Sequence, residues 1–125
     1  MSLFGNLFSG LVSRPYTKVS AEQARELVDK ERALLVDVRE DGEWSAGRAP
    51  QARHIRLADL PRRMNELPKN RPVVTVCRSG HRSARAAATL GRAGYTVYNL
   101  HGGMHAWARA GHPVVAGGRR PGVVA

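Results

Sequence analysis

The sequence predicts an α/β fold with helices on both faces of a mostly parallel sheet. Three observations predict it. Short, almost unbroken apolar runs at 33–38 and 72–76, and a more mixed one at 95–99, read as strands buried in a sheet. Residues with helical spacing lie between the second and third runs, and a strand, helix, strand order implies parallel pairing. Gly94 and Gly111 stand where helix terminators belong.

At the amino end, Leu3, Phe4, Leu7, Phe8, Leu11 and Val12 recur at helical spacing, so residues 1–15 read as an amphipathic segment outside the domain. Such a stripe packs on the domain or stays a partly ordered tail. The competing uses are a homodimer contact, a protein-partner contact, or a helix on a membrane surface. Gly5 and Gly10 weaken it as an isolated helix.

The domain proper is expected over 16–116. Ser20 followed by Gln23 has capping-box spacing, and Ala24, Leu27 and Val28 supply an apolar face, predicting a helix from Ala21 to about Glu31. The strand at 33–38 follows, with Asp37 and Arg39 as a polar end expected to reach an edge. A helix is expected over 58–67, with Pro61 tolerated in its first turn. The strand at 72–76, a helix over 83–93, the strand at 95–99 and a last helix over 104–110 complete the alternation. Residues 117–125 read as a flexible tail.

Composition narrows the chemistry. The chain has 125 residues, enough for one compact domain with a core, and a formal net charge of +10 that concentrates anions around it. Its arginines are spread rather than gathered in a stripe, and aromatics are few, so a nucleic-acid partner is not expected. No apolar run has the length of a membrane span, and residues 1–12 lack the basic start and small-residue site of a secretory signal. A soluble, cytoplasmic protein is the expectation. Cys77 is the single cysteine, which excludes an intramolecular disulfide and fits a reducing compartment. His54, His81, His101, His105 and His112 lack partner ligands at metal-binding spacing, so neither a metal nor another cofactor is implied.

Cys77 itself lies where α/β folds place ligands, beyond the carboxyl end of a strand. The stretch Val76-Cys77-Arg78-Ser79-Gly80-His81-Arg82-Ser83-Ala84 passes from strand to helix through a short loop containing glycine. A loop feeding a helix amino terminus turns unpaired N–H groups toward an anion, and the helix dipole adds to the effect. With Arg78, Arg82 and His81 beside it, the same arrangement lowers a thiol pKa and makes Cys77 a nucleophile candidate. A lone cysteine at a strand end is otherwise an ordinary small buried residue.

The Cys-Arg-Ser-Gly-His-Arg-Ser stretch resembles the active-site loop of the rhodanese-like sulfurtransferases. Leu35-Val36-Asp37-Val38-Arg39 with Glu43-Trp44 and Gly47 resembles that family's first signature, and Leu100-His101-Gly102-Gly103 with Ala106-Trp107 its last. The resemblance covers roughly 17–115. It implies a rhodanese-like, five-stranded parallel sheet flanked by helices, and a cysteine cycling between thiol and persulfide. Cys77 would then be catalytic, with Arg78, Ser79, Gly80, His81, Arg82 and Ser83 binding substrate.

Asp37 and Arg39 are expected to steady the neighbouring loop, with Arg39 pairing Glu43; a solvated charge cluster is the plain alternative. Gly102 and Gly103 permit a tight turn, and Trp107 has the size of a core anchor. Where the family often reads Gly-His-Ile-Pro-Gly-Ala, this chain has Gly47-Arg48-Ala49-Pro50-Gln51-Ala52. Arg48 there adds a cation that bears on donor choice if the turn borders the substrate.

The partners implied are a small anionic sulfur donor such as thiosulfate and a thiol or cyanide acceptor. With no second cysteine, release of sulfur requires an external nucleophile. Two other readings compete. A cysteine phosphatase or arsenate reductase also seats a thiolate among amides, but places one more residue between cysteine and arginine than the four between Cys77 and Arg82. A sulfur-delivery or partner-binding module with little small-molecule turnover would use the amino-terminal stripe.

Overall fold

The computed structural model describes residues 15–125. The amino-terminal stripe therefore lies outside the described residues. Five strands, β1 (Thr17–Val19), β2 (Leu34–Asp37), β3 (Arg53–His54), β4 (Val73–Val76) and β5 (Val97–Leu100), form one sheet in the order β1-β5-β4-β2-β3. Every pairing is parallel. Among the described residues five α-helices accompany it: α1 (Ala21–Lys30), α2 (Asp41–Ala46), α3 (Leu60–Arg63), α4 (His81–Arg92) and α5 (Gly103–Arg109).

The alternation of side chains along each strand builds two core layers. Leu35, Val74, Val76 and Leu100 pack on one face with Ala24 and Leu27 of α1 and Met104 and Trp107 of α5. Val36, Val38, Val73 and Val97 pack on the other with Leu60 of α3 and Ala86, Ala87 and Leu90 of α4. Because Val74 and Val76 face α1 and α5, the odd positions of the same stretch turn the opposite way. Cys77 falls on the α4 side for that reason.

The α1 capping box forms as expected: Ser20 Oγ accepts from the Gln23 amide at 3.1 Å, and Gln23 Oε1 accepts from the Ser20 amide at 2.9 Å. Ser20→Ala should lower stability by about 1 kcal/mol, read as a shift in the urea unfolding midpoint with an unchanged slope.

Three expectations are corrected. The helix read over 58–67 is a single α-helical turn, α3, between 3-10 turns at Leu57–Asp59 and Met64–Glu66. Pro61 has no N–H to extend the preceding turn, and the Leu67 amide bonds the Met64 carbonyl at 3.0 Å in a tighter 3-10 turn. The Tyr95 hydroxyl lies 2.8 and 2.7 Å from the carbonyls of Met64 and Leu67 and anchors the end of the segment. The last strand begins at Val97, not Tyr95, because the Tyr95 amide still closes α4 by bonding the Leu90 carbonyl beyond Gly94 at φ +97°. Finally, 117–125 is not a loose tail. The Gly122 amide donates to Val114 and the Val123 amide to Ala46, both at 2.9 Å, and Val124 packs against the core. Gly122 lies so close to Gly47 that a side chain at either would collide with backbone, a fit its Gly, Pro and Arg composition does not advertise.

Candidate active site

Cys77 follows β4 at the carboxyl edge of the sheet, and its loop ends at Gly80, the residue before α4. Gly80 has φ +114°, a conformation that favours glycine, and this turns its amide back toward the cysteine. The Gly80 N–H donates to Cys77 Sγ at 3.1 Å and the Ser83 hydroxyl lies 3.3 Å from the same sulfur. Burial of the thiol opposes ionisation. The Ser83 hydroxyl and the amides of Ser83, Gly80 and Ser79 outweigh it and hold the Cys77 pKa below that of an ordinary thiol. The residue is only 1% exposed, yet its sulfur faces hydrogen-bond donors.

The loop is held from behind. Asn99 of β5 donates its side-chain amide to the Gly80 carbonyl at 3.2 Å, and the Thr75 hydroxyl of β4 donates to the Ser83 carbonyl at 3.0 Å. The first amides of α5 close the other side, with Met104 donating to the Cys77 carbonyl at 2.8 Å and His105 to the Arg78 carbonyl at 3.2 Å. Gly103 permits that approach, since a Cβ there would overlap the Cys77 and Arg78 carbonyls. With its own carbonyls engaged elsewhere, the loop keeps its amides turned to the sulfur.

The flanking cations are deployed differently from the sequence expectation. Arg82 makes a two-pronged pair with Glu43, Nη1 to Oε1 at 2.7 Å and Nη2 to Oε2 at 2.8 Å, so Glu43 serves α4 rather than Arg39. That guanidinium, together with the Glu40 amide and the charge of Arg39, outweighs desolvation and holds the Glu43 carboxyl down at about 2. A depressed carboxylate stabilises the fold above the ordinary carboxylate range and loses that contribution as pH falls through about 2. The clamp is therefore closed wherever Cys77 titrates. Arg78 is exposed and donates through Nε to the Ala125 backbone oxygen at 2.9 Å, and Ser79 and His81 lie exposed at the loop surface.

Asp37 and Arg39 do not reach a wet edge: both are 0% exposed. Arg39 Nη2 donates to Asp37 Oδ2 at 2.8 Å and to the Gly47 carbonyl at 2.7 Å, pinning the turn after α2. His54 Nε2 lies 2.6 Å from the Arg39 carbonyl, a contact in which Nε2 must carry the proton. The His54 ring stacks on Trp44, with centroids 4.6 Å apart and planes 6° apart. Arg48 is not brought to the cysteine loop by its described contacts. It sits 4.8 Å over the Trp44 ring, donates to the Trp44 carbonyl and bridges Val115.

Thr75, Asn99 and the Glu43 to Arg82 pair join the site without having been expected from the sequence. The signal for the first two was present, because a polar residue inside an otherwise apolar strand must find a partner.

The described residues form a parallel α/β domain that seats one thiol among hydrogen-bond donors at the sheet's carboxyl edge. Residues 20–110 match the model of the rhodanese-like domain. The chain belongs to the rhodanese-like domain family. It is 47% identical over 98 residues to a sulfurtransferase of Allochromatium vinosum, spanning 78% of this chain and 92% of that protein. It is 31% identical over 104 residues to thiosulfate sulfurtransferase GlpE of Actinobacillus pleuropneumoniae, spanning 82% of this chain and 96% of that one. The crystal structure of a rhodanese-like domain protein from Staphylococcus aureus superposes with a TM-score of 0.67 at 33% identity, covering 73% of this chain and 90% of that one.

Proposed function

We propose that the protein is a sulfurtransferase that moves sulfane sulfur from thiosulfate, or a related anionic donor, to a thiol or cyanide through a persulfide on Cys77. The observation that carries this reading is the Cys77 sulfur facing the Gly80 amide and the Ser83 hydroxyl. Such a site favours thiolate over thiol, and a persulfide anion over its acid, for one electrostatic reason.

In the proposed cycle the Cys77 thiolate attacks the outer sulfur of thiosulfate. A bond forms between Sγ and that sulfur, the sulfur–sulfur bond of thiosulfate breaks, and sulfite leaves with its electron pair. Arg78 steers the dianion, and the amides of Ser79, Gly80 and Ser83 hold the product persulfide. Cyanide or a thiolate then attacks the outer sulfur and returns the electron pair to Cys77. Asp37 and Arg39 act at a distance by fixing the turn that positions α2, and through it Glu43 against Arg82.

A reducing, cytoplasmic setting suits a protein that depends on a free thiol; among the described residues no helix is long and apolar enough to cross a membrane. Intact-mass measurement after incubation with thiosulfate tests the proposal. One added sulfur atom is expected, removed by cyanide with release of thiocyanate. Hydrolysis of phosphate esters with no sulfur adduct would replace this reading with the phosphatase one.

A further inference from the structure

β5 is buried along its whole length, yet its third residue is polar: Asn99 is 4% exposed. Tyr98 and Leu100 belong to the layer under α1 and α5 and Val97 to the layer under α4, so alternation turns Asn99 to the side where Cys77 lies. A buried amide there must find partners. Its Nδ2 donates to the Gly80 carbonyl at 3.2 Å, and its Oδ1 lies 3.2 Å from the Thr75 hydroxyl. Toward a carbonyl the amide can present only its NH2 end, so Gly80 fixes its orientation.

The Gly80 carbonyl is contested. A backbone carbonyl offers two acceptor positions, and three donors approach this one. The Ala84 amide takes the first, at 3.1 Å, as the opening bond of α4. The second is shared between Asn99 Nδ2 at 3.2 Å and the Ser83 hydroxyl at 3.3 Å. Ser83 has a single hydroxyl hydrogen, and its oxygen stands 3.3 Å from the Gly80 carbonyl and 3.3 Å from Cys77 Sγ. Rotation of that hydrogen about the Cβ–Oγ bond decides which of the two receives it.

We propose that Asn99 is a positioning residue for the chemistry of Cys77: by filling the second acceptor position of the Gly80 carbonyl, it leaves the Ser83 hydrogen to the sulfur. The use of this arrangement in sulfur transfer rests on the persulfide reading above; the competition for the hydrogen exists in the free enzyme. Without Asn99, Ser83 bonds the carbonyl while Cys77 is a thiol and must give that bond up to serve the thiolate. Ionisation then becomes harder. The charged and titratable groups on the cysteine's own side are Arg78, His81 and Arg82, with Glu43 held by Arg82 and Asp37 by Arg39. His101 and His105 flank the start of α5, where the His105 amide bonds the Arg78 carbonyl. Substitutions at 83 and 99 replace none of these groups.

The test follows alkylation of Cys77 by iodoacetamide across pH in the full chain, for the parent, Asn99→Leu, Ser83→Ala and the double variant. Leu is close to Asn in shape and carries no donor; Asn99→Val, smaller and suited to a strand, replaces it if urea unfolding shows that Leu disrupts the fold. On the acid side of the midpoint, Asn99→Leu should slow alkylation about fivefold, and it should leave the alkaline plateau unchanged. In the Ser83→Ala background the same change should have no effect, because the hydrogen it redirects is gone. Equal slowing in both backgrounds would mean that Asn99 only steadies the loop, and no slowing in the parent would mean that it does not act on Cys77; either result overturns the assignment. Thiosulfate loading, read by intact mass on the same samples, keeps the two readings apart. A parent that takes up no sulfur would sink the sulfurtransferase reading, while the alkylation profiles would still decide the role of Asn99.

Discussion

Cys77→Ser should take up no sulfur from thiosulfate and lose transfer activity by at least about a thousandfold, with its unfolding midpoint close to that of the parent. The expected size of the effect follows from the chemistry. A serine hydroxyl stays protonated at neutral pH, and even when the Gly80 amide and Ser83 hydroxyl contact its oxygen, it forms no persulfide. The small effect on stability follows from the packing. Oxygen replaces sulfur in a site that already offers the Gly80 amide at 3.1 Å and the Ser83 hydroxyl at 3.3 Å, so no polar group is left without a partner. Intact mass and thiocyanate release on the same samples check both halves. An adduct on the serine variant would place the sulfur elsewhere on the chain.

The second large effect is on stability. Asp37→Ala should cost about 3–5 kcal/mol, because it leaves the Arg39 guanidinium at 0% exposure without its counter-charge. Arg39 has nothing to spare. Its Nη1 already lacks a hydrogen-bond partner, and Nη2 would retain only the Gly47 carbonyl, which lies 2.7 Å away. For a domain of this size that loss is a large share of the total stability. Changing both partners, Asp37→Leu with Arg39→Met, should recover much of it, since a buried pair is costly to break but cheap to replace with apolar packing. Denaturant unfolding of the single and double variants measures the difference. A single-variant cost under about 1 kcal/mol would mean that water reaches the guanidinium and that the pair is not a structural unit.

Most of the fold was legible because two periodicities are strong in this chain. Val73, Val74 and Val76 make a run that fits only a strand covered on both faces, and the Ser20 and Gln23 capping box marks the start of α1 at the right residue. The failures have a shared cause, which is tertiary contact overriding local pattern. Tyr95 anchors the end of the segment after Pro61 through the carbonyls of Met64 and Leu67, and the same residue's amide delays β5 by closing α4. The packing of Gly122 against Gly47 joins residues far apart in sequence, so nothing local distinguishes 117–125 from a loose end.

The site divides along the same line. The cysteine, the loop glycine and the serine that touches the sulfur fall within one stretch, Cys77 to Ser83, where strand end, glycine and helix start mark the loop and the family resemblance adds the serine. Partner choice among the charges was not contiguous. Glu43 lies four residues from Arg39 and thirty-nine from Arg82, yet its carboxylate meets Arg82 because α2 packs beside the start of α4 while Arg39 turns inward to Asp37. Arg48 shows the opposite case, where a departure from the family's usual turn suggested a cation for the site and the side chain lies instead over Trp44.

Hydrogen bonds from Ser83, Gly80 and Ser79 make Cys77 hold negative charge more easily than a free thiol does. The direct test is the pH dependence of alkylation of Cys77 by iodoacetamide, a neutral reagent, in the parent and in Ser83→Ala. Because the hydrogen bonds lower the thiol pKa despite burial, the parent rate should rise with pH through a midpoint below that of free cysteine and then level off. Removing the Ser83 hydroxyl should move that midpoint upward. A parent midpoint at or above that of free cysteine, unmoved by the Ser83 change, would mean that these hydrogen bonds do not stabilise the thiolate.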